Sequence, residues 1–319
     1  MVNNNRIKQQ ELFMKNKILK SGISVYFCTG TLKTKQNMKP HKKLSEMNTL
    51  KKLFFTFCAG ILAANSMEAA IVDTLQIKSD KMNRSIETVV IIPDQAAQKP
   101  CPTLYLLHGH GGDAKSWITI KPELPEMADR DGIIVVCPNG EQSWYWDSPI
   151  RKESQFETFV SRELVQYIDS KYNTVKSRRG RAITGLSMGG HGGLWISIRH
   201  KDTFGAGGST SGGVDIRPFP NNWDMKKQLG EMEENPKVWD SHTVITQLDS
   251  LKSGDLALIV DCGTEDFFFE VNKRLHEELL KHGIAHDYIV RPGAHNLTYW
   301  NNSIEYQWLF FHRFFEKEE

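Results

Sequence analysis

Apolar runs and polar breaks alternate along this chain in a way that predicts strands and helices in turn. Residues 70–77 and 85–92 read as two strands, the second ending V-V-I-I before Pro93, and the polar, proline-containing stretch 94–102 reads as a loop. T-L-Y-L-L at 103–107 predicts a buried strand that runs into the glycine-rich H-G-H-G-G of 108–112. Residues 117–130 predict a helix in part, broken by Pro122 and Pro125, and 132–137 predicts a strand stopped by Pro138. An aromatic loop, S-W-Y-W-D-S-P, follows at 143–149. Phe156, Phe159, Val160, Leu164, Tyr167 and Ile168 recur at helical spacing and predict a helix over 156–171. Ala182, Ile183 and Thr184 suit a short buried strand, and Leu194, Trp195, Ile196 and Ile198 a packed helix. Residues 205–213 are small and read as flexible; 214–250 are polar, with scattered Trp223, Met225, Leu229, Met232 and Trp239, and read as irregular with short helices. Then come a strand at 256–260, an amphipathic helix at 271–281 ended by Gly283, a short strand at 288–290, a loop at 293–297 and a closing helix at 304–315. Strands alternating with helices predict the α/β class, a mostly parallel central sheet with helices on both faces. The body, 67–319, reads as one domain.

The first 66 residues do not continue this pattern. From Met47 the chain reads M-N-T-L-K-K, then an apolar run from Leu53 to Ala64, then small residues at Ala64 and Ser66. This is the pattern of a secretory signal peptide over 47–66. The run of 12 is too short for a membrane-spanning helix, which needs about 20 residues. Residues 1–46 carry ten Lys/Arg against two Asp/Glu, whereas 67–319 carry 28 Lys/Arg against 36 Asp/Glu, a net of −8. An acidic body excludes an electrostatic case for nucleic acid or anionic lipid. Only Cys101, Cys137 and Cys262 fall in the body, widely spaced and with no C-x-x-C or His/Cys cluster, so zinc is not indicated. Cys137 and Cys262 end apolar runs and read as buried thiols.

The chemistry is concentrated in G-L-S-M-G, residues 185–189, which fits G-x-S-x-G between a strand and a helix. A nucleophile on so tight a turn takes a strained backbone, and its neighbours must not crowd it with Cβ atoms. Ser187 is the candidate nucleophile. A serine hydroxyl needs a base to take its proton, and the base needs a group to orient it. In chains built around such a turn the acid and then the histidine come later. Asp266, in D-C-G-T-E-D-F just beyond a strand end, is the preferred acid, with Asp261 and Glu265 as rivals. His295, in R-P-G-A-H-N-L-T-Y-W, lies in a loop after the last short strand and is preferred as base over His276, His282, His286 and His312. The developing oxyanion needs preorganised N–H donors. These are expected from the backbone of Met188, after the nucleophile, and of His110 in the glycine-rich loop. His108 and His110 lack a partner carboxylate cluster and do not read as metal ligands. Trp144 and Trp146 are candidates for stacking on substrate, and Trp223 and Trp239 for a partial cap.

L-L-H-G-H-G-G-D with a tryptophan soon after, G-L-S-M-G-G-H-G-G, C-G-T-E-D-F and G-A-H-N-L-T-Y-W together resemble one branch of the α/β-hydrolases. It contains tributyrin-type, feruloyl and acetyl-xylan esterases, S-formylglutathione hydrolases and mycolyltransferases. The resemblance spans residues 70–315. It implies the α/β-hydrolase fold, Ser187, Asp266 and His295 as triad, His110 and Met188 as oxyanion donors, and no cofactor. With the leader, it implies a periplasmic or secreted serine esterase acting on short acyl or feruloyl esters, of small molecules or glycans. A transferase with the same triad and a non-catalytic carbohydrate binder are the alternatives. A signal peptide that begins at residue 47 also implies that translation starts at Met47 and that 1–46 belong to an over-extended reading frame. N-terminal sequencing of the native protein is expected to find nothing before Met47; a mature chain retaining earlier residues would refute this.

Overall fold

The computed structural model describes residues 70–317. The leader at 47–66, the extension at 1–46, Cys28 and Cys58 lie outside the described residues. Eight strands form one sheet: β1 Ile71–Ser79, β2 Arg84–Ile92, β3 Thr103–Leu107, β4 Ile134–Pro138, β5 Arg181–Gly185, β6 Ala206–Thr210, β7 Ala257–Gly263 and β8 Asp287–Arg291. Their spatial order is β1-β2-β4-β3-β5-β6-β7-β8. β2 pairs antiparallel with β1 and β4, and every other pairing is parallel. β3 and β5 are buried along their whole length, as strands covered on both faces must be.

Side chains alternate across each strand, so the sheet feeds two apolar layers. Tyr105, Leu107, Val136 and Ile183 enter one; Leu104, Leu106, Val135 and Ala182 enter the other. The covering helices are α1 Ser116–Ile120, α2 Leu124–Asp131, α3 at 156–171, α4 Met188–Arg199, α5 Met225–Leu229, α6 Pro236–Ser241, α7 Phe269–Lys281 and α8 Leu297–Glu316. The predicted break in 117–130 is the gap between α1 and α2, where Pro125 starts α2 rather than ending a helix. No helix among the described residues is long and apolar enough to cross a membrane. Cys101, Cys137 and Cys262 are free and buried, and burial pushes the Cys137 thiol up to about 12.

Two expectations need correction. Residues 205–213 are not flexible: they hold β6, which is wholly buried. This strand is made of small residues because α4 presses against it. A Cβ on Gly193 of α4 would lie 2.4 Å from the Gly208 carbonyl oxygen. The close approach that makes the strand necessary also removes the large apolar side chains by which a strand is recognised. The closing helix also starts two turns earlier than predicted, at Leu297, capped by the Asn296 side chain accepting from the Tyr299 N–H at 3.0 Å. The added turns carry polar groups inward. Tyr299 donates to the Asp261 carboxylate, and the Ser303 hydroxyl lies 3.0 Å from the Thr210 hydroxyl.

Gly193→Ala is expected to destabilise the protein by about 1–3 kcal/mol, the usual cost of overpacking, because backbone occupies the space its methyl needs. Urea unfolding of the variant measures this.

Candidate active site

β5 ends in a turn that regular structure does not accommodate. Ser187 has φ 56° and ψ −118°, a conformation that costs a non-glycine residue of order 1–3 kcal/mol. Neighbouring strands hold it there. The Ser187 N–H donates to the Thr210 carbonyl at 2.9 Å, at the end of β6, and the Leu186 N–H to the Leu107 carbonyl at 3.2 Å, at the end of β3. The two motif glycines permit this approach. A Cβ on Gly185 would lie 2.5 Å from the Leu107 carbonyl oxygen, and one on Gly189 2.3 Å from the same atom.

His295 Nε2 lies 2.9 Å from Ser187 Oγ, and His295 Nδ1 lies 2.8 Å from Asp266 Oδ2. A carboxylate at Nδ1 fixes the proton there and leaves the Nε2 lone pair facing the serine hydroxyl. Asp266 is buried and its other oxygen accepts the Phe268 N–H at 2.8 Å. The loops that carry Asp266 and His295 are laced together: Thr264 donates to the Arg291 carbonyl and Glu265 to the Gly293 carbonyl, both at 2.9 Å. The rivals are occupied elsewhere. Asp261 is buried between Arg291 and Tyr299, where burial raises its carboxyl above the usual range. Glu265 is exposed. His276 pairs with His286 at 2.7 Å, His282 contacts Asp249, and His312 contacts Glu316.

Met188 is the first residue of α4, so its N–H has no acceptor within the helix and sits at the positive end of the helix dipole. Gly109 lies against the same turn: a Cβ there would be 3.2 Å from Ser187 Cβ. His110, the next residue, lines the cleft together with Ser187 and His295. His108 is buried below this loop. Among the described residues no group of three His, Cys, Asp or Glu side chains is placed to hold a metal ion.

The cleft has a volume of about 780 Å³. Its apolar walls are Trp223 and Phe267 on one side and Ile120, Leu297 and Trp300 beyond the histidine. The Phe267 ring packs 4.3 Å from the His295 ring and stacks on Trp223 at 5.5 Å; Trp300 meets His295 edge-on at 5.0 Å. Phe267, directly after Asp266, and Trp300, five residues after His295, are cleft residues that the sequence motifs contain without marking them as such.

The structure does not bring Trp144 or Trp146 to this cleft. Their side chains are 1% and 0% exposed. Trp144 and Tyr145 adopt left-handed φ values of 57° and 60°. The two indoles stack on each other at 5.6 Å and pack edge-on against His191, whose burial lowers it to about 3 and keeps it neutral. The aromatic loop is core, and its link to the cleft is indirect: Trp144 Nε1 donates to the Trp223 carbonyl at 3.2 Å. Of the two tryptophans expected in a cap, Trp223 reaches the cleft and Trp239 is buried.

A family model described as "Putative esterase" matches residues 79–310. An acetyl esterase of Caldicellulosiruptor saccharolyticus is 27% identical over 250 residues, covering 72% of this chain and 93% of that protein. A solved ferulic acid esterase is 28% identical with a TM-score of 0.64, covering 77% of this chain and 98% of its own. The fluorophosphonate-binding serine hydrolase F of Staphylococcus aureus shares the fold, with a TM-score of 0.69 at 21% identity over 76% of this chain and 99% of that one.

Trp146→Ala is expected to cost about 3–5 kcal/mol of stability, as for a buried tryptophan, and to change turnover of acetyl and aromatic esters by the same factor. Denaturant unfolding with parallel kinetics checks this; a selective rise in KM for aromatic esters would return Trp146 to the substrate.

Proposed function

Because this chain belongs to the family described as "Putative esterase" and is a carboxylic-ester hydrolase of the α/β-hydrolase fold, we propose that it works through an acyl-enzyme on Ser187. The observation that carries this reading is the continuous hydrogen-bonded line Ser187–His295–Asp266 on a strained turn at the floor of a cleft.

In this mechanism Ser187 Oγ attacks the ester carbonyl while its proton passes to His295 Nε2. Asp266 holds the imidazole through Nδ1–H and stabilises the imidazolium. The carbonyl oxygen, now an oxyanion, takes hydrogen bonds from the His110 and Met188 N–H groups. Collapse of the tetrahedral adduct breaks the bond to the alcohol oxygen, which leaves with the proton from Nε2. Water then attacks the acyl-serine, gives its proton to the same nitrogen, and the acid is released with Ser187 restored. No metal or organic cofactor takes part in these steps.

The substrates are short acyl or feruloyl esters, of small alcohols or of polysaccharides. The stacked Trp223 and Phe267 support a planar or sugar-like group in the cleft, as do the similarities to an acetyl esterase and a ferulic acid esterase. Export to the periplasm or beyond is supported by the leader pattern that begins at Met47.

Purified 67–319 is expected to hydrolyse p-nitrophenyl acetate or methyl ferulate, and Ser187→Ala to lose at least about 10⁴-fold in kcat while keeping its melting temperature. Preference for ferulate selects the aromatic acyl class, and preference for acetate the small acyl class. Full activity in Ser187→Ala would overturn the mechanism.

A further inference from the structure

The oxyanion loop owes its shape to a histidine that never meets the substrate. His108 is 1% exposed. Its Nε2 accepts the Gly140 N–H at 2.8 Å, and its Nδ1 lies 2.7 Å from the Gly109 carbonyl oxygen. An imidazole nitrogen that accepts cannot carry the proton. The proton is therefore on Nδ1, where it is donated to Gly109. Burial lowers the pKa of this ring and holds it neutral, so the two roles do not interchange.

The Gly109 carbonyl belongs to the same peptide unit as the His110 N–H. In a trans peptide the two point to opposite sides, and no peptide among the described residues is cis. The Gly109 oxygen also accepts the Gly112 N–H at 3.0 Å. Two donors thus hold the carbonyl end of this unit from the side away from the cleft. The preceding peptide is held as well, since the Tyr145 hydroxyl donates to the His108 carbonyl at 3.2 Å. Hydrogen bonds to a carbonyl withdraw charge through the peptide and make its N–H a stronger donor.

We propose that His108 is a positioning residue that aims and polarises the Gly109–His110 peptide toward the oxyanion. The chain of donors runs from the Gly140 N–H through the imidazole and the Gly109 carbonyl to the His110 N–H. The proposal rests on the reading of that N–H as an oxyanion donor, and the experiment separates the two.

The test compares p-nitrophenyl acetate with its thionoester counterpart, in which sulfur replaces the carbonyl oxygen. Sulfur accepts hydrogen bonds weakly, so an enzyme that uses N–H donors on this atom favours the oxoester. His108→Gln offers Gly140 an acceptor near the Nε2 position but gives Gly109 no donor. His108→Asn places an amide N–H near the Nδ1 position. The Gln variant is expected to lose about tenfold to a hundredfold in kcat on the oxoester, less than or equal to the usual loss of a whole donor. KM and the thionoester rate stay unchanged, so the oxo-to-thiono ratio falls; the Asn variant keeps that ratio within about threefold of the native one. A native ratio in His108→Gln, or equal losses on both esters, overturns the proposal and leaves the donor assignment intact. No preference for the oxoester in the unaltered enzyme removes the donor assignment and the proposal with it. An independent reading uses the unaltered enzyme: ¹⁵N shifts of the His108 ring must show a protonated Nδ1, and a protonated Nε2 refutes the relay whether or not the variants fold.

Discussion

The site depends on one steric constraint, the contact between the turn at Ser187 and the carboxyl end of β3. The Leu107 carbonyl accepts the Leu186 N–H and also blocks any Cβ at Gly185 or Gly189. The same crowding brings the glycine-rich loop after β3 against Ser187. Ser187 and the glycine-rich loop are thereby placed by neighbouring parallel strands rather than by flexible side chains. The strain of φ 56° at Ser187 persists because hydrogen bonds from both flanking strands over-determine it. Rigidity is what the proposed acyl transfer needs, since its donors must already point where charge will appear.

The other half of the site follows the same logic further along the sheet. Asp266 and His295 lie on the loops after β7 and β8, adjacent strands, and the backbone of one loop bonds to that of the other. Asp266 does not need to reach far because its loop is already tied to that of His295. Asp261, by contrast, ends inside β7, and its carboxylate is spent on Arg291 and Tyr299. Five positions along the strand and its loop decide whether an aspartate here meets His295 or is held by Arg291 and Tyr299.

Much of this was legible in the sequence, and what was not has identifiable causes. The buried strands β3, β4 and β5 declare themselves through β-branched and apolar runs. The site motifs carry glycines at spacings that only a crowded turn requires, and Ser187, Asp266 and His295 do come together. β6 was hidden because its glycines answer to α4, a neighbour distant in sequence. Trp144 and Trp146 were misjudged because an aromatic cluster in a loop reads alike whether it faces solvent or core. The two left-handed residues that turn it inward are tryptophan and tyrosine, which give no sign of such a conformation. Phe267 and Trp300 are not distinguished in the sequence because an aromatic near a polar motif residue reads alike whether it lines a cleft or packs in the core.

The three buried thiols set how far the redox state of the surroundings reaches into this fold. Burial raises the pKa of Cys101, Cys137 and Cys262 alike, so each stays a thiol rather than the nucleophilic thiolate. In the fold none of these three thiols is presented to oxidants or to disulfide exchange catalysts. The state of these three sulfurs is therefore insulated from the redox potential of the surroundings by packing alone.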